Sequence, residues 1–167
     1  MKPIYCANSG TTARLLIGVL TGQNFKSTLI GSDQLSRRPM DRVSSPLNEI
    51  GCNIKSNGGK LPITIIPSSI NKFTVNTNSP SAQVKSSLIL AAMYSDEPVV
   101  IIEDNATRDH TEKILAHLGV KLVRMGNTVT VPPVDEIPNF SESIPSDISS
   151  ASFLIEKDHI CKQTVYP

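Results

Sequence analysis

Asn8-Ser9-Gly10-Thr11-Thr12-Ala13-Arg14-Leu15-Leu16-Ile17-Gly18-Val19-Leu20 sets a polar turn of small residues directly against an apolar segment. The segment, residues 13–20, is apolar nearly all round, the pattern of a helix inside a domain rather than on its surface. The same order returns about 70 residues later, where Ser79, Pro80 and Ser81 open a second apolar helix over residues 84–93.

The pattern continues outward from both helices. In the first copy a strand at residues 4–6 precedes the helix, and a strand at 27–30 follows it and ends at Gly31. A charged loop holds Asp33, Arg37, Arg38 and Pro39. Val43, Leu47 and Ile50 then recur at helical spacing, Gly51 stops that helix, and short strands at 53–56 and 63–66 close the unit. The second copy predicts a strand at 72–75, the helix at 84–93 and a strand at 99–102. A charged loop with Asp104, Thr107, Arg108, Asp109 and His110 comes next, then a helix over 111–118 ended by Gly119, and strands at 121–124 and 129–131. Each unit reads strand, helix, strand, helix, strand, strand. The fold class is therefore α/β (α+β), with buried apolar helices and sheets outside them.

A buried helix that opens at a polar turn aims its free N–H groups and the positive end of its dipole at the rim of the domain. Two such ends on one face can hold phosphate and carboxylate groups. Prolines and serines thicken over residues 132–146, the composition of a linker or crossover, and Asp147 caps a predicted helix over 149–155. This divides the chain into an incomplete first domain at residues 1–143, with two recognisable folding units, and a crossover and truncated start of a second domain at 144–167.

Composition narrows the function. Lys and Arg number 16 against 15 Asp and Glu in 167 residues, a net charge of +1, too even for a non-specific grip on nucleic acid. Aromatic residues make up 4% and Trp is absent, which argues against base-stacking platforms. Cys6, Cys52 and Cys161 are far apart and lack metal-ligand spacing, so idle thiols in a reducing compartment are expected. With no apolar run near the ~20 residues of a spanning helix and no leader pattern, the expectation is a cytoplasmic protein with no membrane and no nucleic-acid partner.

Four motifs carry candidate chemistry. Asn8–Arg14 offers backbone N–H groups and hydroxyls to an anion, with Gly10 permitting close approach; a capped helix start explains the same residues. In Leu35-Ser36-Arg37-Arg38-Pro39-Met40, an arginine fork matches carboxylate or phosphate, or is simply solvated. In Ser81-Ala82-Gln83-Val84-Lys85-Ser86, Ser81 can donate to phosphate, and Gln83 can donate and accept. Lys85 either pairs with an anion or covers surface with its stem. In Thr107-Arg108-Asp109-His110-Thr111-Glu112 no nucleophile motif accompanies His110, so a structural histidine or minor substrate contact is expected.

As an ordered set, these motifs resemble the enolpyruvyl-shikimate-phosphate synthase family from about Tyr5 to Phe153, and Asp147–Phe153 is similar to the segment that crosses into that family's other domain. The resemblance implies two similar domains of repeated units, an inside-out barrel arrangement, and substrates held in the cleft between them. It implies transfer of the enolpyruvyl group of phosphoenolpyruvate to a ring hydroxyl of shikimate-3-phosphate, in aromatic amino-acid biosynthesis, without metal or organic cofactor. Gly10, Arg38 and Gln83 would then serve phosphoenolpyruvate, Gly10 being the position at which glyphosate sensitivity is altered. Ser81, Ala82, Gln83, Thr107 and His110 would serve shikimate-3-phosphate, with Asn8, Arg14 and Lys85 in support. His110 departs from the tyrosine of some members. The family's early lysine-serine and arginine motif and its proton-transfer residues have no match here, and Glu156-Lys157-Asp158-His159 interrupts an expected apolar helix. The expectation is a truncated piece, inactive without the missing second domain. Two alternatives are a UDP-N-acetylglucosamine enolpyruvyl transferase, which lacks the Ser81–Ser86 pattern, and a non-catalytic anion-binding remnant.

Overall fold

The computed structural model describes residues 2–141 and 143. The expected helix at 149–155, the domain crossing and Cys161 lie outside the described residues. The first unit contains β1 (Ile4–Tyr5), α1 (Gly10–Thr21), β2 (Ser27–Ile30), α2 (Asp33–Ser36), α3 (Asp41–Glu49), β3 (Asn53–Asn57) and β4 (Lys60–Ile66). The second contains β5 (Thr74–Asn76), α4 (Ala82–Ala92), β6 (Val99–Ile102), α5 (His110–His117), β7 (Val123–Met125) and β8 (Thr128–Val131).

Each unit makes its own four-stranded sheet in one shared order, β1-β2-β4-β3 and β5-β6-β8-β7. In both, the first strand pairs parallel with the second across an apolar helix, and the remaining pairs are antiparallel. Burial alternates along β2, β4, β6 and β8, so one face of each sheet feeds the core through Leu29, Ile63, Ile65, Ile101 and Val129. The helices lie inside: α1 packs on α4 and on β4, α3 packs on both α1 and α4, and α4 reaches β6. Eight residues of α4 are buried, which accounts for its lack of a polar stripe.

Small residues set how closely α1 and α4 approach. A Cβ added to Gly18 would lie 2.2 Å from the backbone oxygen of Ser87, and the Ser87 hydroxyl donates to the Arg14 carbonyl at 2.9 Å. Interaxial distance follows the side chains at the crossing, so this pair draws the two units together.

The two amphipathic helices end in the same way. Gly51 has φ +108 and Gly119 φ +90. In α3, Gly51 N–H donates to Asn48 O and Cys52 N–H to Leu47 O; after α5, Gly119 N–H donates to Ala116 O and Val120 N–H to Leu115 O. Both are glycine caps that satisfy the last carbonyls and turn the chain back into the core.

Some boundaries differ from the sequence expectation. Residues 33–36 form the short helix α2 instead of loop, because the Ser32 hydroxyl accepts from Leu35 N–H at 3.2 Å and Leu35 is fully buried. α1 starts at Gly10 and α4 at Ala82, earlier than their apolar stretches suggest, because the polar cap residues join the first turn. β7 begins at Val123 rather than residue 121. Among the described residues no helix is long and apolar enough to cross a membrane.

Candidate functional site

The amino ends of α1 and α4 meet on one edge of the protein. Ser9 caps α1: its hydroxyl accepts from Thr12 N–H at 3.1 Å, and Ala13 N–H makes the first backbone bond, to Ser9 O. Gly10 and Thr11 N–H therefore have no backbone partner among the described residues. Ser81 occupies the equivalent place before α4 but makes no side-chain cap bond, so its hydroxyl is free to face a ligand. Val84 and Lys85 N–H both donate to Ser81 O, at 3.1 Å each, which leaves the Ala82 and Gln83 amides similarly open.

Arg14 joins the two ends. Its guanidinium donates to Gln83 Oε1 at 2.7 Å and to the Pro39 carbonyl at 3.2 Å, and Gln83 Nε2 donates to Thr11 Oγ1 at 2.7 Å. Arg14 Nε is buried without a partner. A Cβ on Gly10 would lie 3.2 Å from an Arg38 guanidinium nitrogen and 3.3 Å from one of Arg14, so two cations lie over this glycine. Burial, then the charges of Arg42 and Arg38, push the Arg14 guanidinium below its ordinary pKa. Among the described residues every salt bridge lies elsewhere, and neither Arg14 nor Arg38 meets a carboxylate. Like charges held together without acidic partners, beside two helix amino ends, make a local field suited to anions.

A cleft of about 370 Å³ opens beside this cluster. Thr11 and Leu15 line it from α1, Ala82, Gln83 and Ser86 from α4, and Arg108, His110 and Thr111 from the start of α5. A groove of about 460 Å³ at the opposite, carboxyl ends of α1 and α4 is lined by Gln23, Asn24, Tyr94 and Asp96 among others, with no cationic side chain. Helix carboxyl ends carry negative partial charge, so that groove is the poorer place for an anion in spite of its size.

Gly10, Arg38 and Gln83 thus lie in one hydrogen-bonded and steric network through Arg14, with Ser81 and Ala82 at the same helix end. His110 faces the cleft. Asp109 is no catalytic partner for it: Asp109 pairs with Lys113 at 3.1 Å, and that hydrogen bond holds its carboxyl below the usual range. Asn8 ties its loop to α2, donating to Gln34 and accepting from Ser32, and does not line the cleft. Lys85 corrects the surface reading. It is fully buried, 2.7 Å from Glu112 and 3.2 Å from Glu103, and reaches neither cleft nor solvent. Thr107 directs its hydroxyl to Glu103 rather than into the cleft. Arg108, Ser86 and Thr111 line the cleft although the sequence reading gave them no role. Ser86 was findable by helical geometry, lying three residues beyond Gln83 on the same face.

The sequence matches the profile of the family described as "EPSP synthase (3-phosphoshikimate 1-carboxyvinyltransferase)" over residues 1–166. The chain belongs to the EPSP synthase family. Curated relatives named 3-phosphoshikimate 1-carboxyvinyltransferase include those of Oenococcus oeni, 45% identical over 92% of this chain, and Endomicrobium trichonymphae, 42% identical over 91%. The chain spans 36% of the length of each. A solved EPSP synthase from Acinetobacter baumannii superposes with a TM-score of 0.84 at 35% identity, over 92% of this chain and 35% of that one.

Proposed function

We propose that these residues form one wall of an active site that transfers the enolpyruvyl group of phosphoenolpyruvate to shikimate-3-phosphate. The observation that carries the reading is the Arg14 bridge. It couples Gln83 on one helix start to the Gly10–Arg38 edge of the other, at a place where two guanidiniums pair with no carboxylate among the described residues. Both substrates are anions. Arg38, Gly10 and Gln83 bind phosphoenolpyruvate. Ser81, the Ala82 amide and Gln83 bind shikimate-3-phosphate, with Arg108 and His110 closing its far side. Arg14 holds Gln83 in register between the two. Residues 1–143 are the substrate-binding domain and 144–167 the passage to a second domain, whose donors complete the charge stabilisation from the opposite wall. The assignment needs no metal or organic cofactor and fits a cytoplasmic setting.

Titration calorimetry with shikimate-3-phosphate and with UDP-N-acetylglucosamine tests the reading. The expected result is a saturable heat with the first and none with the second. Binding of the UDP-sugar alone would transfer the assignment to the sister chemistry. Silence with both would reject it.

A further inference from the structure

We infer that Glu103 and Lys85 form a buried clamp that positions the Arg108–His110 wall of the cleft, and that Thr107 belongs to this clamp instead of touching ligand. The inference rests on the proposed function only for the identity of the ligand.

The geometry is specific. Lys85 follows Gln83 in the first turn of α4, but its ammonium points inward, 3.2 Å from Glu103 Oε2, 2.7 Å from Glu112 Oε1 and 3.5 Å from the Thr107 carbonyl. The other Glu103 oxygen accepts from both the Thr107 amide, at 3.1 Å, and the Thr107 hydroxyl. Arg124 of β7 closes the set, 3.3 Å from Glu112 and 3.6 Å from Glu103. Side-chain exposure is 0% at Lys85 and 1% at Glu103. Two cations and two carboxylates are thus brought together from α4, the β6–α5 loop, α5 and β7. A second link, between the Ser86 and Thr111 hydroxyls at 2.6 Å, ties the same walls on the cleft side.

Placement gives the clamp its consequence. Gln83 and Ser86 bracket Lys85 on one wall of the cleft. Thr107 immediately precedes Arg108, and Glu112 lies in the first turn of the helix that begins at His110. Lys85 therefore connects the backbone of one wall to the carboxylates that hold the other. Such a pair adds little net stability relative to apolar packing, and its attested use is to fix one arrangement. Glu112 Oε2 is buried without a partner, a further cost that packing alone gives no reason to retain.

The test uses the whole chain with Glu103→Gln, Thr107→Val, Thr107→Ser and the Glu103→Gln/Thr107→Val double variant. Two measurements are made on each: amide hydrogen exchange over residues 104–110 without ligand, and calorimetric affinity for shikimate-3-phosphate. Glu103→Gln removes the charge and leaves Lys85 and Thr107 to compete for one acceptor oxygen, which predicts about ten-fold faster exchange at Thr107, with β8 unchanged, and about ten-fold weaker affinity. Thr107→Val moves both quantities in the same direction, and Thr107→Ser restores them. The double variant binds no more weakly than the weaker single, because coupled residues are non-additive. Additive losses, or weaker binding by Thr107→Val with exchange unchanged, would make Thr107 a direct ligand contact and overturn the clamp. If Glu103→Gln does not fold, the Thr107→Val and Thr107→Ser pair decides. If the unaltered chain does not bind shikimate-3-phosphate, the functional reading fails while the exchange measurement still decides the clamp.

Discussion

The loop after β2 and the loop after β6 hold equivalent places in the two repeats, and their charges are disposed in opposite ways. After β2, Arg37 and Arg38 are exposed, and Arg38 has no acidic partner among the described residues; it lies over Gly10 beside Arg14. After β6, Glu103 turns inward and is closed off by Lys85 and Arg124. The first copy commits its loop charge to the site through Arg38, and the second adds to an exposed Arg108 a neutralised, buried cluster that holds a wall still. The helix starts divide in the same sense, since the Ser9 hydroxyl is committed to capping and the Ser81 hydroxyl is not.

The most disruptive way to break this comparison is Lys85→Met, which leaves two buried carboxylates in the second unit to Arg124 alone. Removing one partner of a buried pair costs about 3–5 kcal/mol. The denaturant midpoint should fall accordingly, and an unchanged midpoint would mean that the charges do not depend on Lys85. Gly18→Val attacks the seam between the units instead. Its Cβ meets backbone, not a movable side-chain end, so a loss of about 1–3 kcal/mol is expected by chemical denaturation.

Ser9→Ala and Ser81→Ala sharpen the contrast directly. Loss of the Ser9 cap should cost about 1 kcal/mol. Ser81→Ala should leave stability within about 0.5 kcal/mol while weakening phosphate-bearing ligands. Equal destabilisation by both would erase the distinction drawn between the two helix starts. The smallest effect concerns Cys52, whose thiol burial pushes up to about 11. A raised folded-state value favours the neutral thiol, so its contribution is present below the ordinary thiol range and fades as pH rises toward 11. Native-state alkylation of Cys52 near neutral pH should be much slower than in denaturant.

The sequence made the repeat legible because its signals are local and periodic: an apolar helix after a polar turn, a glycine after each amphipathic helix, alternation in the strands. Gly51 and Gly119 mark helix ends in the sequence and carry positive φ in the structure. The short helix α2 escaped notice because a four-residue turn carries no period; a single serine cap and a buried leucine decide it. In the site, the helix starts and Arg38 could be singled out because small polar turns and paired arginines stand out in type. For Lys85 the sequence leaves pairing with an anion and covering surface both open, and it does not name the partner. A lysine one turn into a helix usually extends to solvent, and its partner Glu103 is 18 residues away. The Arg14 bridge was equally hidden, joining residues 69 apart in the chain. Long-range pairing of polar groups is set by how the units dock, and no local pattern encodes it.

Amide chemical-shift mapping during a shikimate-3-phosphate titration tests the shared site most directly. The account predicts that Ala82 and Gln83 shift with shikimate-3-phosphate, that Gly10 and Gln83 shift when phosphoenolpyruvate is then added, and that Arg38→Ala weakens phosphoenolpyruvate binding without unfolding the protein. Shifts confined to one helix start after both additions, or gathered instead around Tyr94 and Asp96 at the far ends of the same helices, would contradict it.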